Sequence, residues 1–192
     1  YDLFLELPKP LVPRRLRLEV DERVLADGSV AVPLDREQAR EAILELKAQG
    51  VEAVAVCLLH SYRNPAHERE LGALIRELAP ELAVSLSSEV VPEIREYERT
   101  STTAANVYVQ PLMDRYLREL EARLRALGVD AQLLVMLSSG GVCTPETARR
   151  FPVRLVESGP AAGALAAAFF GQLTGNPRLL SFDMGGTTAK SC

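Results

Sequence analysis

The stretch VEAVAVCLL, residues 51–59, is a nearly continuous apolar run of the kind that forms a strand covered on both faces of a sheet. The preceding residues 36–49 have apolar side chains at helical spacing, which predicts an amphipathic helix. A second helix is predicted from Pro65 to about Leu78, and residues 82–87 predict a second strand. This alternation of helices and strands indicates an α/β fold in which a right-handed crossover joins parallel strands.

The rest of the chain also divides into short elements. The Asp35–Gln38 pair resembles a capping box at the start of the first helix. A long helix is predicted from the Thr100–Thr103 segment to Gly128, with Pro111 as a kink or a second start. The remaining predictions are a strand over 14–24 turning at Asp27-Gly28 into 29–34, a strand over 132–137, a helix over 145–150, a strand over 153–156, and an Ala-rich helix from Ser158 to about Leu173.

The composition bounds the class of protein. The 192 residues are 47% hydrophobic and 25% charged, as in a soluble globular protein, and the net charge of −4 gives no basic footprint for nucleic acid. The uncharged run 158–174 is too short for a membrane span. Three scattered cysteines, Cys57, Cys143 and Cys192, lack metal-ligand spacing and indicate a reducing compartment, so a cytoplasmic location is expected without nucleic-acid or membrane partners.

The segment LLSFDMGGTTAK, residues 179–190, carries the strongest functional signal. A short apolar strand runs into Asp183, then Gly185-Gly186, then Thr187-Thr188. Paired glycines permit positive φ and close approach of an anion, and successive N–H groups and Thr hydroxyls can hold phosphate oxygens. Asp183 suits Mg²⁺, which prefers carboxylate and phosphate oxygens. An ordinary Gly-Gly hairpin is the competing interpretation, and the two are compatible.

Two other loops favour anion binding more weakly. Ser158-Gly159 opens a helix, where free N–H groups attract anions, although a capping serine explains it too. Ser138–Gly141 follows a predicted strand, where ligands bind in α/β sheets, or forms a plain turn. His60 and His67 are interpreted as structural, since no third metal ligand accompanies them. The charged segment 93–99 is interpreted as a solvated turn, with contact to a substrate or a neighbouring domain as the alternative.

Three segments together resemble the hydantoinase A / 5-oxoprolinase family. They are AVAVCLLHSYRNPAHE at 53–68, SSEVVPEIREYERTSTT at 87–103, and ESGPAAG at 157–163 with FDMGGTT at 182–188. The resemblance covers essentially the whole chain. It implies the actin-like ATPase fold, in which two ribonuclease-H-like domains hold ATP and Mg²⁺ between them. Residues 1–152 would be the C-terminal part of the family's N-terminal domain with its connecting helix, and 153–192 the start of the second domain.

The resemblance implies a phosphate loop made by Asp183, Gly185, Gly186, Thr187 and Thr188, assisted by Ser158 and Gly159, with Asp183 on the metal. It assigns no catalytic residue. The family's first Asp-x-Gly-Gly-Thr loop and its adenosine segment have no counterpart here. The chain starts without methionine, and the strand expected after the glycine turn is taken to be missing. The chain is therefore expected to be a fragment that is inactive alone.

The family's usual reaction implies the function. ATP phosphorylates the carbonyl oxygen of a cyclic amide such as 5-oxoproline or a hydantoin, and water then opens the ring. The family often pairs this subunit with a B-type subunit or domain. Two alternatives stay open: the ATP-using subunit of an acetone- or acetophenone-type carboxylase, and a non-catalytic actin-like module that only binds nucleotide.

Overall fold

The computed structural model describes Phe4, residues 9–176 and residues 178–192. The chain divides into two compact units between Tyr108 and Val109. The strands are β1 Arg23–Val24, β2 Val30–Val32, β3 Ala53–Val56, β4 Ala83–Leu86, β5 Val135–Met136, β6 Val142–Cys143, β7 Phe182–Met184 and β8 Ala189–Ser191. The helices are α1 Arg36–Ala48, α2 Ala66–Leu78, α3 Ser87–Val90, α4 Glu96–Ala126, α5 Pro145–Arg150 and α6 Ser158–Thr174.

The first unit is built on two parallel strands. β3 and β4 pair in parallel from Ala53↔Ala83 to Val56↔Leu86, and α2 is the crossover between them. Asp35 caps α1 by accepting from the N–H groups of Glu37 and Gln38, which confirms the first half of the predicted capping box. The second half is wrong, because the Gln38 side-chain oxygen accepts from Asp21 N, while Asp35 N donates to Asp21 O at 2.9 Å. Helices and strands share one buried apolar cluster, which includes Ile43, Val56, Leu71, Leu74, Ile75 and Leu86. This unit confirms the mixed α/β fold class and the predicted helix–strand–helix–strand order.

The second unit holds two antiparallel hairpins, β5–β6 and β7–β8, together with α5 and α6. Leu117 of α4 is buried here. Arg149 of α5 pairs with Glu121 of α4 at 2.8 Å and with Asp114 at 3.6 Å. These two ion pairs join α5 to α4 within the second unit. None of the helices in the described part of the chain combines the length and apolarity needed to cross a membrane.

The predicted strand over 14–24 is wrong in its first half. Arg14–Leu16 forms a 3-10 helix, closed by hydrogen bonds from Leu16 N to Pro13 O at 3.0 Å and from Arg17 N to Arg14 O at 3.1 Å. Pro13 fixes φ at the entry to this turn, so alternation of apolar residues does not lead to a ladder. Only Arg23–Val24 pairs with β2, across the predicted turn in which Gly28 has φ of +90°.

The predicted strand over 153–156 is also wrong, because Pro152–Leu155 is a 3-10 helix in which Arg154 N donates to Phe151 O at 3.0 Å. The strand predicted over 132–137 narrows to Val135–Met136.

The starts of two helices and the presence of one strand differ from the prediction. α2 begins at Ala66, with Pro65 in the capping position before it. α4 begins at Glu96, four residues before the predicted caps, and continues through Pro111 to end before Gly128. The strand taken to be missing after the glycine turn is present as β8, which pairs with β7. The predicted domain boundary between 152 and 153 stays a prediction.

Candidate nucleotide-binding site

Residues 179–192 form the predicted hairpin. Asp183 lies opposite Lys190, and Ser181 and Cys192 exchange two main-chain hydrogen bonds of 2.9 and 3.1 Å. Gly185 N donates to Thr188 O at 2.9 Å, which closes a two-residue turn of Gly186 and Thr187. The hairpin interpretation is therefore confirmed. Residues 185–188 form its exposed turn, and Asp183 is exposed on β7.

The glycines act differently from the prediction. Neither Gly185 nor Gly186 has a left-handed φ, so the turn does not require glycine for backbone conformation. The Gly185 N–H is already used within the hairpin. A Cβ placed on Gly186 would meet no atom within 4 Å. Glycine at 186 therefore leaves open space over the turn, which is what close approach of a ligand to the main chain requires.

Three consecutive N–H groups remain available on this turn. Those of Gly186, Thr187 and Thr188 find no acceptor within the described residues. Unpaired backbone donors cost free energy unless water or a ligand satisfies them, and a run of them attracts anions. Together with the Thr187 and Thr188 hydroxyls, this donor set fits phosphate oxygens.

The start of α6 lies next to the hairpin. Lys190 Nζ is in ionic contact with Glu157, the residue just before Ser158, and α6 packs against β7. Glu157 has a left-handed φ of 70° and makes no side-chain cap, so Ser158 is the first helical residue and not the cap. The structure thus brings Ser158 and Gly159 to the same part of the unit as Asp183. The Lys190–Glu157 contact was missed from the sequence, because the register of a two-residue hairpin places Lys190 only opposite Asp183.

The donor groups at the helix start are also free. Ser158 N and Gly159 N have no acceptor in the described chain, and a Cβ on Gly159 would meet no atom within 4 Å. The α6 dipole places partial positive charge at these groups. The helix that begins at these groups is 17 residues long, from Ser158 to Thr174.

The metal position stays a prediction. Within the part of the chain that the structure describes, no three His, Cys, Asp or Glu side chains gather as ligands for a metal ion. A single exposed carboxylate such as Asp183 nevertheless fits Mg²⁺, which proteins often hold with one or two carboxylates plus phosphate oxygens and water.

Several polar groups of the Ser138–Gly141 loop are already used in hydrogen bonds within the protein. It is the turn between β5 and β6: Gly140 N donates to Leu137 O at 3.0 Å, Leu137 N donates to Gly141 O at 2.8 Å, and Gly140 has φ of +85°. Ser138 donates from its main chain and hydroxyl to Arg154 O, both at 2.8 Å. The plain-turn interpretation describes this loop, because Gly140 supplies the left-handed residue of a bulged hairpin.

The comparisons with known proteins cover both units. The family model described as Hydantoinase/oxoprolinase matches residues 99–192, and that described as Hydantoinase/oxoprolinase N-terminal region matches residues 1–79. The chain is 44% identical over 191 residues to an uncharacterized protein of Methanocaldococcus jannaschii, covering 100% of this chain and 28% of that protein. It is 38% identical over 178 residues to the caprolactamase subunit alpha of Pseudomonas jessenii, covering 93% of this chain and 26% of that subunit.

Two solved structures are similar over almost the whole chain. The crystal structure of the ATP-dependent caprolactamase from Pseudomonas jessenii matches with a TM-score of 0.86 at 36% identity, covering 100% of this chain and 28% of that one. A nucleotide-free structure of acetone carboxylase, an ATP-dependent enzyme, matches with a TM-score of 0.88 at 29% identity, covering 97% and 27%. The chain therefore spans between a quarter and a third of the length of these relatives.

Proposed function

Because the chain belongs to the hydantoinase/oxoprolinase family, we propose that it is part of a subunit that uses ATP to open a cyclic amide. The observation that carries this proposal is the open turn over Gly186, with three unpaired N–H groups beside the free start of α6. We place the chain in the actin-like ATPase fold, with residues 153–192 opening its second domain. The similarity to an ATP-dependent caprolactamase supports a ring amide as the substrate class.

Different residues of this chain would bind different parts of the nucleotide and its metal ion. The N–H groups of Gly186, Thr187 and Thr188 would bind phosphate oxygens, with the two Thr hydroxyls as further donors. Ser158 and Gly159 would add the α6 dipole, and Asp183 would hold Mg²⁺. Bound ATP would supply the phosphoryl group that turns the amide carbonyl oxygen into a leaving group. These residues position and neutralise charge, which is most of what phosphoryl transfer asks of a protein.

A second candidate is the ATP-using subunit of a ketone carboxylase, because the acetone carboxylase structure matches this chain as well as the caprolactamase does. Both candidates need the same phosphate loop, so the loop does not separate them. Both also suggest a second subunit, since the caprolactamase relative is named as one subunit of its enzyme. We expect a B-type subunit or domain as the partner.

The test uses the full-length protein with its B-type partner and measures ADP release. We expect release to depend on 5-oxoproline, hydantoin or caprolactam, and to fall by orders of magnitude in the Asp183→Ala variant. Release that depends on bicarbonate together with acetone or acetophenone would assign the carboxylase instead. Nucleotide binding without turnover under either condition would show a non-catalytic module and overturn both.

A further inference from the structure

A second place in the chain has the features of a ligand site, and it lies in the first unit. β3 and β4 are parallel and in register, so both end at one edge, at Val56 and Leu86. Ligands of open parallel sheets bind outside the carboxyl ends of the strands. The two segments that leave this edge are residues 57–64 and 87–95.

Each of these segments contains a non-glycine residue in the left-handed region. His60 has φ of 56° and Arg95 has φ of 77°. This conformation costs about 1–2 kcal/mol for a residue with a Cβ and persists where the surroundings fix it, often at ligand sites. The His60 carbonyl is fixed by hydrogen bonds from Arg63 N at 2.9 Å and Asn64 N at 3.1 Å.

Two buried charges hold the segments in place. Glu68, which is 0% exposed, accepts from Leu58 N at 2.9 Å, Ser87 Oγ at 2.6 Å and Ser88 N at 2.8 Å. Arg99, which is 1% exposed, donates to Leu58 O at 2.6 Å and to Glu93 O at 3.1 Å. The two charges thus act on opposite ends of one residue, Leu58.

The charge of Arg99 has no carboxylate partner in the described chain. Its two hydrogen bonds go to carbonyl oxygens, and its Nε–H is buried without an acceptor. The guanidinium carbon lies 5.5 Å from the centre of the Tyr62 ring. A buried cation without a counter-ion favours an approaching oxygen acceptor or anion.

Tyr62, next to this charge, and His60 both have side chains that can form hydrogen bonds. His60 and Tyr62 are half-buried, and His60 Nδ1 lies 3.3 Å from the Tyr62 hydroxyl. The other ring nitrogen of His60, Nε2, has no partner among the described residues. We call His60, Tyr62 and Arg99 the carboxyl-edge corner.

We propose that the carboxyl-edge corner binds a small molecule through its carbonyl or carboxylate oxygens. His60 and Tyr62 supply the hydrogen bonds, and the Arg99 guanidinium, 5.5 Å from the centre of the Tyr62 ring, supplies positive charge. In the enzyme proposed above, this ligand is the cyclic amide. That identification rests on the proposed function, whereas binding at the corner does not.

The chain offers a selective readout, because it contains only two histidines. His67 is buried and its Nδ1 lies 2.7 Å from Glu22, so its imidazole signal serves as an internal reference. The 192-residue chain is titrated at constant pH with 5-oxoproline, and the two imidazole signals are followed by ¹H–¹³C NMR. A His60→Asn variant assigns them. We expect a saturable shift of the His60 signal while the His67 signal stays in place.

Two tyrosine variants test the assignment. Tyr62→Phe should weaken the binding about five-fold, as expected for one lost hydrogen bond, and Tyr97→Phe, at an exposed tyrosine, should not. Parallel titrations with hydantoin and acetate separate carbonyl from carboxylate recognition. The proposal is overturned if none of the three compounds shifts the His60 signal saturably, or if Tyr62→Phe binds as tightly as the wild type.

No nucleotide is present in this titration, so its result is independent of the phosphate loop. A saturable His60 shift in a protein whose full-length form lacks ATP-dependent turnover would uphold the corner as a binding site and refute the cyclic amide as its substrate.

Discussion

At the scale of residues, the backbone of Leu58 contacts two fully buried charged side chains of the first unit, Glu68 and Arg99. Its N–H donates to Glu68, and its carbonyl accepts from Arg99. Burying a charge is costly unless hydrogen bonds replace its hydration. Glu68 receives three such bonds from backbone and serine groups, so its ionised form is satisfied without a salt bridge.

Glu68→Gln tests this arrangement. The amide NH₂ of glutamine would replace a carboxylate oxygen and face a donor, so we expect the free energy of unfolding to fall by about 2–4 kcal/mol. Urea denaturation of the 192-residue chain measures it. Glu77→Gln, an exposed position on the same helix, should change stability by no more than about 0.5 kcal/mol. Equal effects of both variants would contradict the account.

Cys57 gives the chain a pH-dependent stability. Burial, followed by the nearby Glu68 charge, raises the pKa of the thiol from 9.0 to about 11. The folded state therefore holds the proton more tightly than the unfolded state, so this stabilising contribution is complete below pH 9 and is lost as the pH rises to about 11.

We expect the free energy of unfolding to fall by about 1.4 kcal/mol per pH unit across this window. Denaturation of wild type and Cys57→Ala at several pH values measures the difference. The slope should be smaller by about this amount in Cys57→Ala, in which the raised pKa of Cys143 still contributes, and unchanged in Cys192→Ala, whose thiol is exposed. A slope that is the same in Cys57→Ala as in the wild type would assign it to other groups.

At the scale of elements, the turn between β7 and β8 allows a substitution that should affect ligand binding without affecting folding. The backbone at Gly186 is not left-handed and its surroundings are empty, so Gly186→Ala should fold normally. The added methyl group would nevertheless occupy the space over the free N–H groups. We expect weaker ATP binding by the full-length protein, by roughly ten-fold or more, measured by calorimetry.

Gly163→Ala is the matched control for this variant. Its Cβ would also meet no atom within 4 Å, but it lies inside α6. It should leave ATP binding unchanged and raise helix stability by about 0.5–1 kcal/mol. If Gly186→Ala binds ATP as well as Gly163→Ala does, the turn is not the phosphate site.

The elements that the sequence predicted well are those with strong local signals. Residues 51–59, the Asp35 cap and Gly128 at the end of α4 each specify their structure through nearest neighbours. Alternation over 14–24 was misleading because a 3-10 turn over Arg14–Leu16, opened by Pro13, takes the place of ladder pairing at the start of that segment. The start of α4 was placed too late because Glu96 and Glu98 favour a first turn through the helix dipole, a weaker signal than a run of threonines.

The two candidate sites also differ in how far their structure depends on local sequence. Asp183, Gly185-Gly186 and Thr187-Thr188 are close together in the sequence, and the hairpin that they predict is present. The carboxyl-edge corner depends on contacts between residues far apart in the chain, such as Leu58 with Arg99. No periodicity reports such a contact, so the segment 93–99 was interpreted as a solvated turn although its last residue is buried.

At the scale of the whole molecule, the chain corresponds to a quarter to a third of the relatives that it matches. The family resemblance implies a further phosphate loop and an adenosine segment, and neither has a counterpart in these 192 residues. We therefore expect the 192-residue chain alone to show no ATP hydrolysis, because one loop neutralises only part of the triphosphate charge. A coupled assay for ADP measures it, with the full-length protein as the positive control. Measurable turnover by the chain alone would contradict this expectation.

The two hydrogen bonds between Ser181 and Cys192 have a practical consequence. They hold Cys192, which has an exposed thiol and follows β8, against Ser181, while Cys57 and Cys143 are partly buried and have raised pKa values. A maleimide fluorophore would therefore attach at Cys192 first near neutral pH. Because Cys192 lies at the end of the hairpin away from the Gly186–Thr187 turn, the dye would label this hairpin without covering the candidate phosphate site.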